Sequence, residues 1–189
     1  MPRLFISLDF PSHIEEQLLE LCDLSLDSAS WVDPAHMHLT LRFIGDVDET
    51  MFDDVIHALG GIHLSEFPLS LKEVGFFPPR KQPRILWAGV EKNEMLLLLR
   101  NKIESRLRRL QLPPDKRKFH PHITLARLRN GSAAEVGMYL SQYNLFHTEP
   151  FFITEFSLYS SVLTPRGAIH SQEATYPLLS KTSDLVNNI

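Results

Sequence analysis

Several features that define special classes of protein are scarce in this chain. It has a single cysteine, Cys22, so no disulfide can form within it. Its longest aliphatic run, residues 95–99, is far shorter than the roughly 20 apolar residues that span a bilayer. Hydrophobic residues nonetheless make up 43% of the 189 residues and charged residues 22%, close to an ordinary globular chain. The composition therefore excludes a disordered chain, a collagen-like repeat and a coiled coil, and it allows a proper core.

Neither positive nor negative charge is in large excess, with 19 Lys and Arg against 23 Asp and Glu residues. The net charge of −4 argues against an extended surface that coats nucleic acid, although basic residues cluster at 100–109 and 116–118. On charge alone, a solvated helix face is the simpler explanation of the first cluster. The first 16 residues lack the long apolar segment and the cleavage site of a signal peptide. We therefore expect a cytoplasmic monomer that does not engage a membrane, in keeping with the lone cysteine.

Hydrophobic periodicity predicts the same order of elements in both halves of the chain. The predicted strands cover 3–10, 38–44, 67–77, 85–90, 122–128, 151–160 and an edge strand over 167–178. A first helix is predicted with Ser12 as its cap and Glu15 as the capping-box partner, and further helices cover 48–59, 93–110 and 132–143. The segment 25–35 is predicted to be a polar loop. We therefore predict an α+β fold within a single domain, 1–189, made of two lobes from repeats of approximately 1–80 and 81–178. Each lobe has an antiparallel sheet with outer helices, strands can be exchanged between them, and a cleft lies between them on a pseudo-twofold axis.

A tetrapeptide recurs at matching places in the two halves: His38-Leu-Thr40-Leu and His122-Ile-Thr124-Leu. On a strand, residues i and i+2 share a face, so each strand presents an imidazole and a hydroxyl to the cleft. A single His-x-Thr on a strand carries little information. Two copies in matching lobes predict a catalytic pair.

Two histidines suit the cleavage of a phosphodiester without a metal. One takes a proton from the attacking group and the other gives a proton to the leaving oxygen, and the imidazole pKa of ~6.5 serves both roles. The threonine hydroxyls can donate hydrogen bonds to the phosphate oxygens. Arg127 or Arg42 can neutralise the phosphate charge. Strict alternation favours Arg42 unless the second strand ends or bulges before Arg127, so the choice stays open at this point.

At these residues the chain resembles the 2H phosphoesterases, and within them the LigT-like RNA 2′,3′-cyclic phosphodiesterases, also called RNA 2′,5′-ligases. The resemblance covers nearly the whole chain, in four segments in the family's order: RLFISLDFP at the start, HLTLRFIGDV (38–47), PRILWAGV (83–90) and HPHITLAR (120–127).

The resemblance implies hydrolysis of a 2′,3′-cyclic phosphate at an RNA end, or of a cyclic nucleotide, to a 2′-phosphomonoester without a metal or cofactor. His38 carries over as the proton donor and His122 as the proton acceptor that activates water. Thr40, Thr124 and Arg127 carry over as phosphate-binding residues, which favours Arg127 over Arg42. Ligation of a 5′-hydroxyl is the same chemistry reversed and is expected as a side activity. A non-catalytic RNA- or nucleotide-binding module of the same fold is the alternative.

Several neighbouring residues have two interpretations. His36 and His120 form His-x-His pairs with the motif histidines and are expected at the rim of the cleft, a metal site being the alternative. Phe43 and Trp87 are expected in the core rather than as surfaces on which a base stacks. His170 is expected at the surface without a partner.

Overall fold

The computed structural model describes residues 1–78, 82–129, 131–164 and 167–180. The strands are β1 (Arg3–Leu8), β2 (Ala29–Trp31), β3 (Leu39–Asp46), β4 (Phe67–Leu69), β5 (Leu71–Phe77), β6 (Ile85–Val90), β7 (His122–Leu128), β8 (Phe151–Ile153), β9 (Glu155–Thr164) and β10 (Gly167–Pro177). The helices are α1 (Ser12–Leu19), α2 (Glu49–Gly60), α3 (Glu94–Arg109) and α4 (Ala133–Gln142), with a 3₁₀ helix at Pro34–His36. None of the helices within these ranges is long and apolar enough to cross a membrane.

Antiparallel pairing organises the strands. A single hydrogen-bonded path runs β10-β9-β1-β3-β7-β6-β5, β2 pairs with β7, and β4 pairs with β8 in a separate small sheet. Helices pack against these strands, so the α+β prediction is confirmed. Strands from the two ends of the chain intermingle, because β9 and β10 join β1 while β5 joins β6. The predicted division into repeats stays a prediction, and its boundary at residues 80 and 81 lies outside the described residues.

The strands β10-β9-β1-β3 and the strands β7-β6-β5 are joined by the pairing of β3 with β7. Leu39 of β3 faces Ile123 of β7 across an antiparallel bridge, and both side chains are fully buried. The two strands meet only where each of them begins, and each then continues with its own partners. This contact brings the two tetrapeptides to one place.

The apolar face of α3 helps to hold the sheet. Asn93 caps the helix by accepting a hydrogen bond from the Leu96 backbone N–H at 2.9 Å. The buried positions of the helix are Leu96, Leu99, Ile103 and Leu107, which keep the i, i+3, i+4 spacing of a one-sided helix. They belong to the same hydrophobic core as Leu39 and Ile123, so the packing of the helix stabilises the contact between β3 and β7.

Four local predictions were wrong. The segment predicted as a polar loop contains β2 and the 3₁₀ helix, because β2 is held by its pairing with β7 rather than by its own sequence. The strand predicted over 67–77 is divided between two sheets, β4 in one and β5 in the other. The strand predicted over 151–160 is divided in the same way, because β8 pairs with β4 and β9 belongs to the large sheet. Ser12 lies inside α1, and the capping position is Pro11, without a side-chain cap.

Candidate active site

The contact between β3 and β7 places the motif side chains on one face of the sheet. Leu39 and Ile123 point into the core from the bridge. Side chains alternate along a strand, so His38, Thr40 and their counterparts beside Ile123 project from the opposite face. Each of these polar side chains is partly exposed, as a site open to substrate requires.

The two motif histidines are oriented in the same way. His38 Nδ1 lies 3.0 Å from the carbonyl oxygen of His36, and His122 Nδ1 lies 2.7 Å from that of His120. A carbonyl oxygen only accepts, so each Nδ1 carries the proton and donates it. The neutral ring is then the tautomer with a free lone pair on Nε2. Both rings therefore have Nε2 available for proton transfer, and the residues at the first position of each His-x-His pair orient them through backbone oxygens.

Burial lowers the pKa of both histidines. For His38 and for His122, loss of water around the ring is the main cause, and the hydrogen bond to the carbonyl opposes it. The two differ in the nearby charges. The charge of His36 lowers the pKa of His38 and that of His120 lowers the pKa of His122, but only His38 also has the Asp9 carboxylate, which raises its pKa. The two rings are alike in geometry and different in electrostatics.

Aromatic rings form a wall behind His38. Phe5 stacks on the imidazole with centroids 5.0 Å apart, and Tyr159 stacks on Phe5 at 5.4 Å. His170 meets Phe5 edge-on at 4.9 Å and lies 5.7 Å from His38. The Tyr159 hydroxyl donates to Asp9 at 3.0 Å, which holds that carboxylate near the site. We call Phe5, Tyr159 and His170 the His38 wall.

A second group of rings flanks His122. Phe77 meets His122 edge-on at 5.0 Å, and His120 lies 5.0 Å from Trp87 and 5.3 Å from Phe77. The indole fits because residue 75 is glycine: a Cβ there would lie 2.1 Å from the Trp87 ring. We call Phe77, Trp87 and His120 the His122 wall.

A β-bulge decides which arginine shares the face of the motif. Leu86 pairs with Ala126 and Trp87 pairs with Thr124, so Leu125 is an extra residue in β7. Leu125 and Ala126 are consequently both buried, and Arg127 is exposed. The extra residue returns Arg127 to the face of Thr124. A bulge before Arg127 therefore interrupts the strict alternation of side chains along β7.

The same irregularity occurs in the first motif. Ile6 pairs with Arg42 and Ser7 with Thr40, which leaves Leu41 as the extra residue in β3. Phe43 then takes the place that Arg127 has in β7, 49% exposed and with its ring 5.9 Å from Phe5. The expectation that Phe43 lies in the core was wrong.

Arg42 is buried and paired with acidic residues inside the protein. Its side chain is 7% exposed, and Nε lies 2.9 Å from Glu104 Oε1 of α3. It also donates to the Phe43 and Pro113 carbonyls and lies 3.9 Å from Asp115. Its charge is therefore neutralised inside the protein, where it ties the segment after α3 to β3.

The structure also shows the surroundings of the other basic and histidine residues named above. Part of the basic cluster on α3 is engaged within the protein, since Arg100 pairs with Glu104 and lies over Phe119 while Arg106 donates to the Gly61 carbonyl. Residues 116–118 are exposed, and Arg117 lies over the Phe43 ring while it pairs with Asp115 at 3.0 Å. His36 and His120 are exposed, as expected for a rim. Across the described ranges, no group of three or more His, Cys, Asp or Glu side chains is arranged to hold a metal ion.

Sequence reasoning missed the His38 wall. Phe5, Tyr159 and His170 lie on β1, β9 and β10, and only the long-range pairing of these strands brings them to His38. His170 is exposed, as expected, but it belongs to a strand and has ring partners. In the His122 wall, Trp87 was wrongly expected in the core. Leu86 and Ala88 are buried, so Trp87 lies on the other face of β6, and the uniformly apolar sequence of 85–90 carries no signal for that choice.

Comparison with known proteins gives a consistent result. The chain matches the family described as LigT like Phosphoesterase over residues 8–87 and 89–170. It is 31% identical over 172 residues to a protein of Archaeoglobus fulgidus named RNA 2′,3′-cyclic phosphodiesterase, covering 89% of this chain and 96% of that one. It is 30% identical over 159 residues to a Bacillus subtilis protein of the same name, covering 77% and 87%.

Solved structures agree in fold. The crystal structure of E. coli LigT complexed with 3′-AMP is 27% identical, with a TM-score of 0.76 and coverage of 94% of this chain and 99% of that one. A Thermus thermophilus protein, TT0787, is 24% identical with a TM-score of 0.79 and coverage of 95% and 99%, a likeness of fold. With both motifs of the 2H superfamily on one face of this fold, the chain belongs to the LigT-like phosphoesterase family.

Proposed function

We propose that this protein hydrolyses 2′,3′-cyclic phosphates at RNA ends to 2′-phosphomonoesters, by a two-histidine mechanism that needs no metal. The observation that carries the proposal is the matched pair of Nδ1-to-carbonyl hydrogen bonds, which leaves Nε2 of both His38 and His122 free on one face of the sheet. Cyclic phosphodiesterase activity is also supported by relatives of that name at about 30% identity.

The reaction has one proton transfer at each end. His122 Nε2 takes a proton from a water molecule as the water oxygen bonds to phosphorus. The bond between phosphorus and the 3′ oxygen breaks, and His38 Nε2–H gives its proton to that oxygen. The net change adds one water across the ring, leaving a 3′-hydroxyl and a 2′-phosphate, with the proton moved from one imidazole to the other.

Three side chains serve the phosphate. The Thr40 and Thr124 hydroxyls donate to non-bridging oxygens, and the Arg127 guanidinium offsets the charge that builds up as water attacks. Support for Arg127 comes from its exposure on the face of Thr124, and Arg42 is paired with Glu104 and Asp115 instead.

The assignment of acid and base follows from the surrounding charges. A proton donor must hold its proton until the transition state, and the Asp9 carboxylate favours the imidazolium form of His38. A proton acceptor must be neutral, and burial lowers the pKa of His122 without the opposing carboxylate that His38 has in Asp9. Both effects support His38 as the donor and His122 as the acceptor.

RNA is the substrate class that the surroundings of the site favour. The relatives' names specify RNA, and a LigT structure holds 3′-AMP. In this chain, Arg117 lies over the exposed Phe43 ring, and its neighbours Lys116 and Lys118 are exposed cations, a combination suited to the backbone and bases of a single strand.

The proposal is tested by incubating an RNA oligonucleotide that ends in a 2′,3′-cyclic phosphate with the protein in excess EDTA. We expect turnover, with the phosphate retained on the 2′ oxygen. A 3′-phosphate product would contradict the assigned bond cleavage. Turnover that stops in EDTA and returns with zinc would contradict the metal-free mechanism. Binding without turnover under either condition would support the non-catalytic module.

A further inference from the structure

A cavity of about 310 Å³ adjoins the His122 wall. It lies where β5 and β6 meet the first turn of α3 and the residues before β7, and its lining includes Trp87 and His120. The ring centroids of His120 and His122 are 6.2 Å apart, so the cavity begins within the reach of one nucleotide from the catalytic imidazole. The proposed mechanism assigns no role to this space.

The cavity combines flat apolar surface with ammonium groups. Val90 and Leu96 line it beside the indole, and Lys72 and Lys92 stand at its edge. Residue 89 is a glycine in this lining, and a Cβ there would lie 2.6 Å from the Lys72 carbonyl oxygen. A side chain at that point is therefore not accommodated without movement of β5, which keeps the indole face clear.

Anion binding at the rim depends on its two lysines and not on net charge. Glu73 also lines the cavity and Glu91 adjoins Lys72, so among the described residues two carboxylates balance the two ammonium groups. Lys72 pairs with Glu91 at 3.9 Å, but more than half of each side chain is exposed (54% and 56%). A pair of that kind contributes little and is readily exchanged for another anion. Lys72 and Lys92 can thus both turn to a phosphate.

We propose that this cavity binds the nucleotide that precedes the cyclic phosphate end of an RNA chain. This inference rests on the proposed function. The base lies against Trp87 and His120, and the phosphate that joins the last two nucleotides lies by Lys72 and Lys92. Stacking on an aromatic ring next to a basic groove is how single strands are bound without sequence preference. The protein then acts better on an RNA end than on a cyclic mononucleotide.

The test compares adenosine 2′,3′-cyclic phosphate with the ApA dinucleotide that ends in the same group. We expect kcat/KM to be about ten-fold higher for the dinucleotide, an effect within the range that one stacked base supplies. The K72A/K92A double variant should lose most of that advantage and change little toward the mononucleotide. R108A/R109A is the matched control: it removes the same charge from exposed positions at the far end of α3, about 21 Å from Glu94 at the start of the helix at 1.5 Å per residue.

A second measurement detects binding in the cavity by fluorescence and does not depend on catalysis. In a W31F background, Trp87 is the only tryptophan of the chain, and Trp31 is a half-buried residue whose contact with Tyr139 a phenylalanine can keep. The dinucleotide with a 2′-phosphate should quench Trp87 fluorescence, and K72A/K92A should weaken this binding while R108A/R109A should not.

The outcomes separate the two proposals. Hydrolysis of both substrates with equal kcat/KM overturns the cavity assignment and leaves the proposed function intact. An equal loss in K72A/K92A and in R108A/R109A overturns it too, since long-range charge would then explain the effect. Absence of hydrolysis with quenching that depends on Lys72 and Lys92 upholds the cavity and overturns the proposed function.

Discussion

The two halves of the site share a backbone design and differ in chemistry. In each, a histidine bonds through Nδ1 to the carbonyl two residues back, and an extra leucine three residues on creates a bulge. After the bulge, however, β3 turns Phe43 toward the face of the motif and β7 turns Arg127 toward it. A repeated strand geometry thus gives one half an aromatic surface and the other a cation.

The electrostatic difference follows the same division. The carboxylate of Asp9, held by Tyr159, acts on His38 alone, whereas a neighbouring histidine acts on each ring, His36 on His38 and His120 on His122. A symmetric pair of imidazoles has no built-in direction for proton flow. In the proposed mechanism Asp9 supplies that direction, so the two histidines are expected to respond differently to the same change.

The largest expected effect is the loss of either imidazole. H38A and H122A should each lower kcat on a cyclic phosphate about 10³-fold, because general acid and general base each contribute roughly 10²–10⁴. The double variant should lose little more than the worse single variant, since the two act in one step. Steady-state hydrolysis measures this, with circular dichroism as the folding control. Full activity in either single variant would falsify the two-histidine mechanism.

The two arginines should separate activity from stability. R127A should lower kcat/KM about 10²-fold while the protein stays as stable as the wild type, because an exposed cation that faces phosphate is lost. R42A should cost on the order of 2 kcal/mol in free energy of unfolding, because Glu104 and Asp115 lose a buried partner, although each keeps a second arginine, Arg100 or Arg117. Kinetics and urea unfolding of both variants check the pair. The reverse pattern would identify Arg42 as the phosphate ligand.

The pH dependence should show the shared burial of the two rings. Because burial lowers the pKa of both histidines, the bell-shaped profile of kcat/KM should have its maximum below the ordinary imidazole value of 6.5. The acid limb reports the neutral His122 that is lost as pH falls, and the alkaline limb the protonated His38 that is lost as pH rises. A bound phosphate stabilises imidazolium, so the profile of kcat should lie at higher pH. A single sigmoid would contradict an acid–base pair.

The smallest effect isolates Asp9. D9N keeps an acceptor for the Tyr159 hydroxyl and removes the charge that raises the pKa of His38. The alkaline limb of kcat/KM should therefore move to lower pH while the acid limb stays in place. His36 and His170 also lie near His38, so H170Q serves as a control for changes in that wall. Movement of the acid limb alone would reverse the roles of the two histidines.

The sequence alone predicts most of the helices and strands and the repeated motif. It does not predict which strands pair or in which register. The α+β class and both His-x-Thr strands follow from local periodicity. The choice between Arg42 and Arg127 required the bulge at Leu125, and no glycine or proline marks that irregularity. The His38 wall required pairing between strands far apart in the chain, which alternation along one strand cannot reveal.

The division of labour between the histidines is tested most directly by changing the leaving group. A nucleoside phosphodiester with a 4-nitrophenyl leaving group needs no proton donor, because the phenolate leaves as an anion. H38A should therefore recover most of the wild-type rate on this substrate, whereas H122A should stay impaired because water still needs a base. Equal impairment of the two variants on this ester, or recovery of H122A alone, would contradict the assignment of His38 as the donor and His122 as the acceptor.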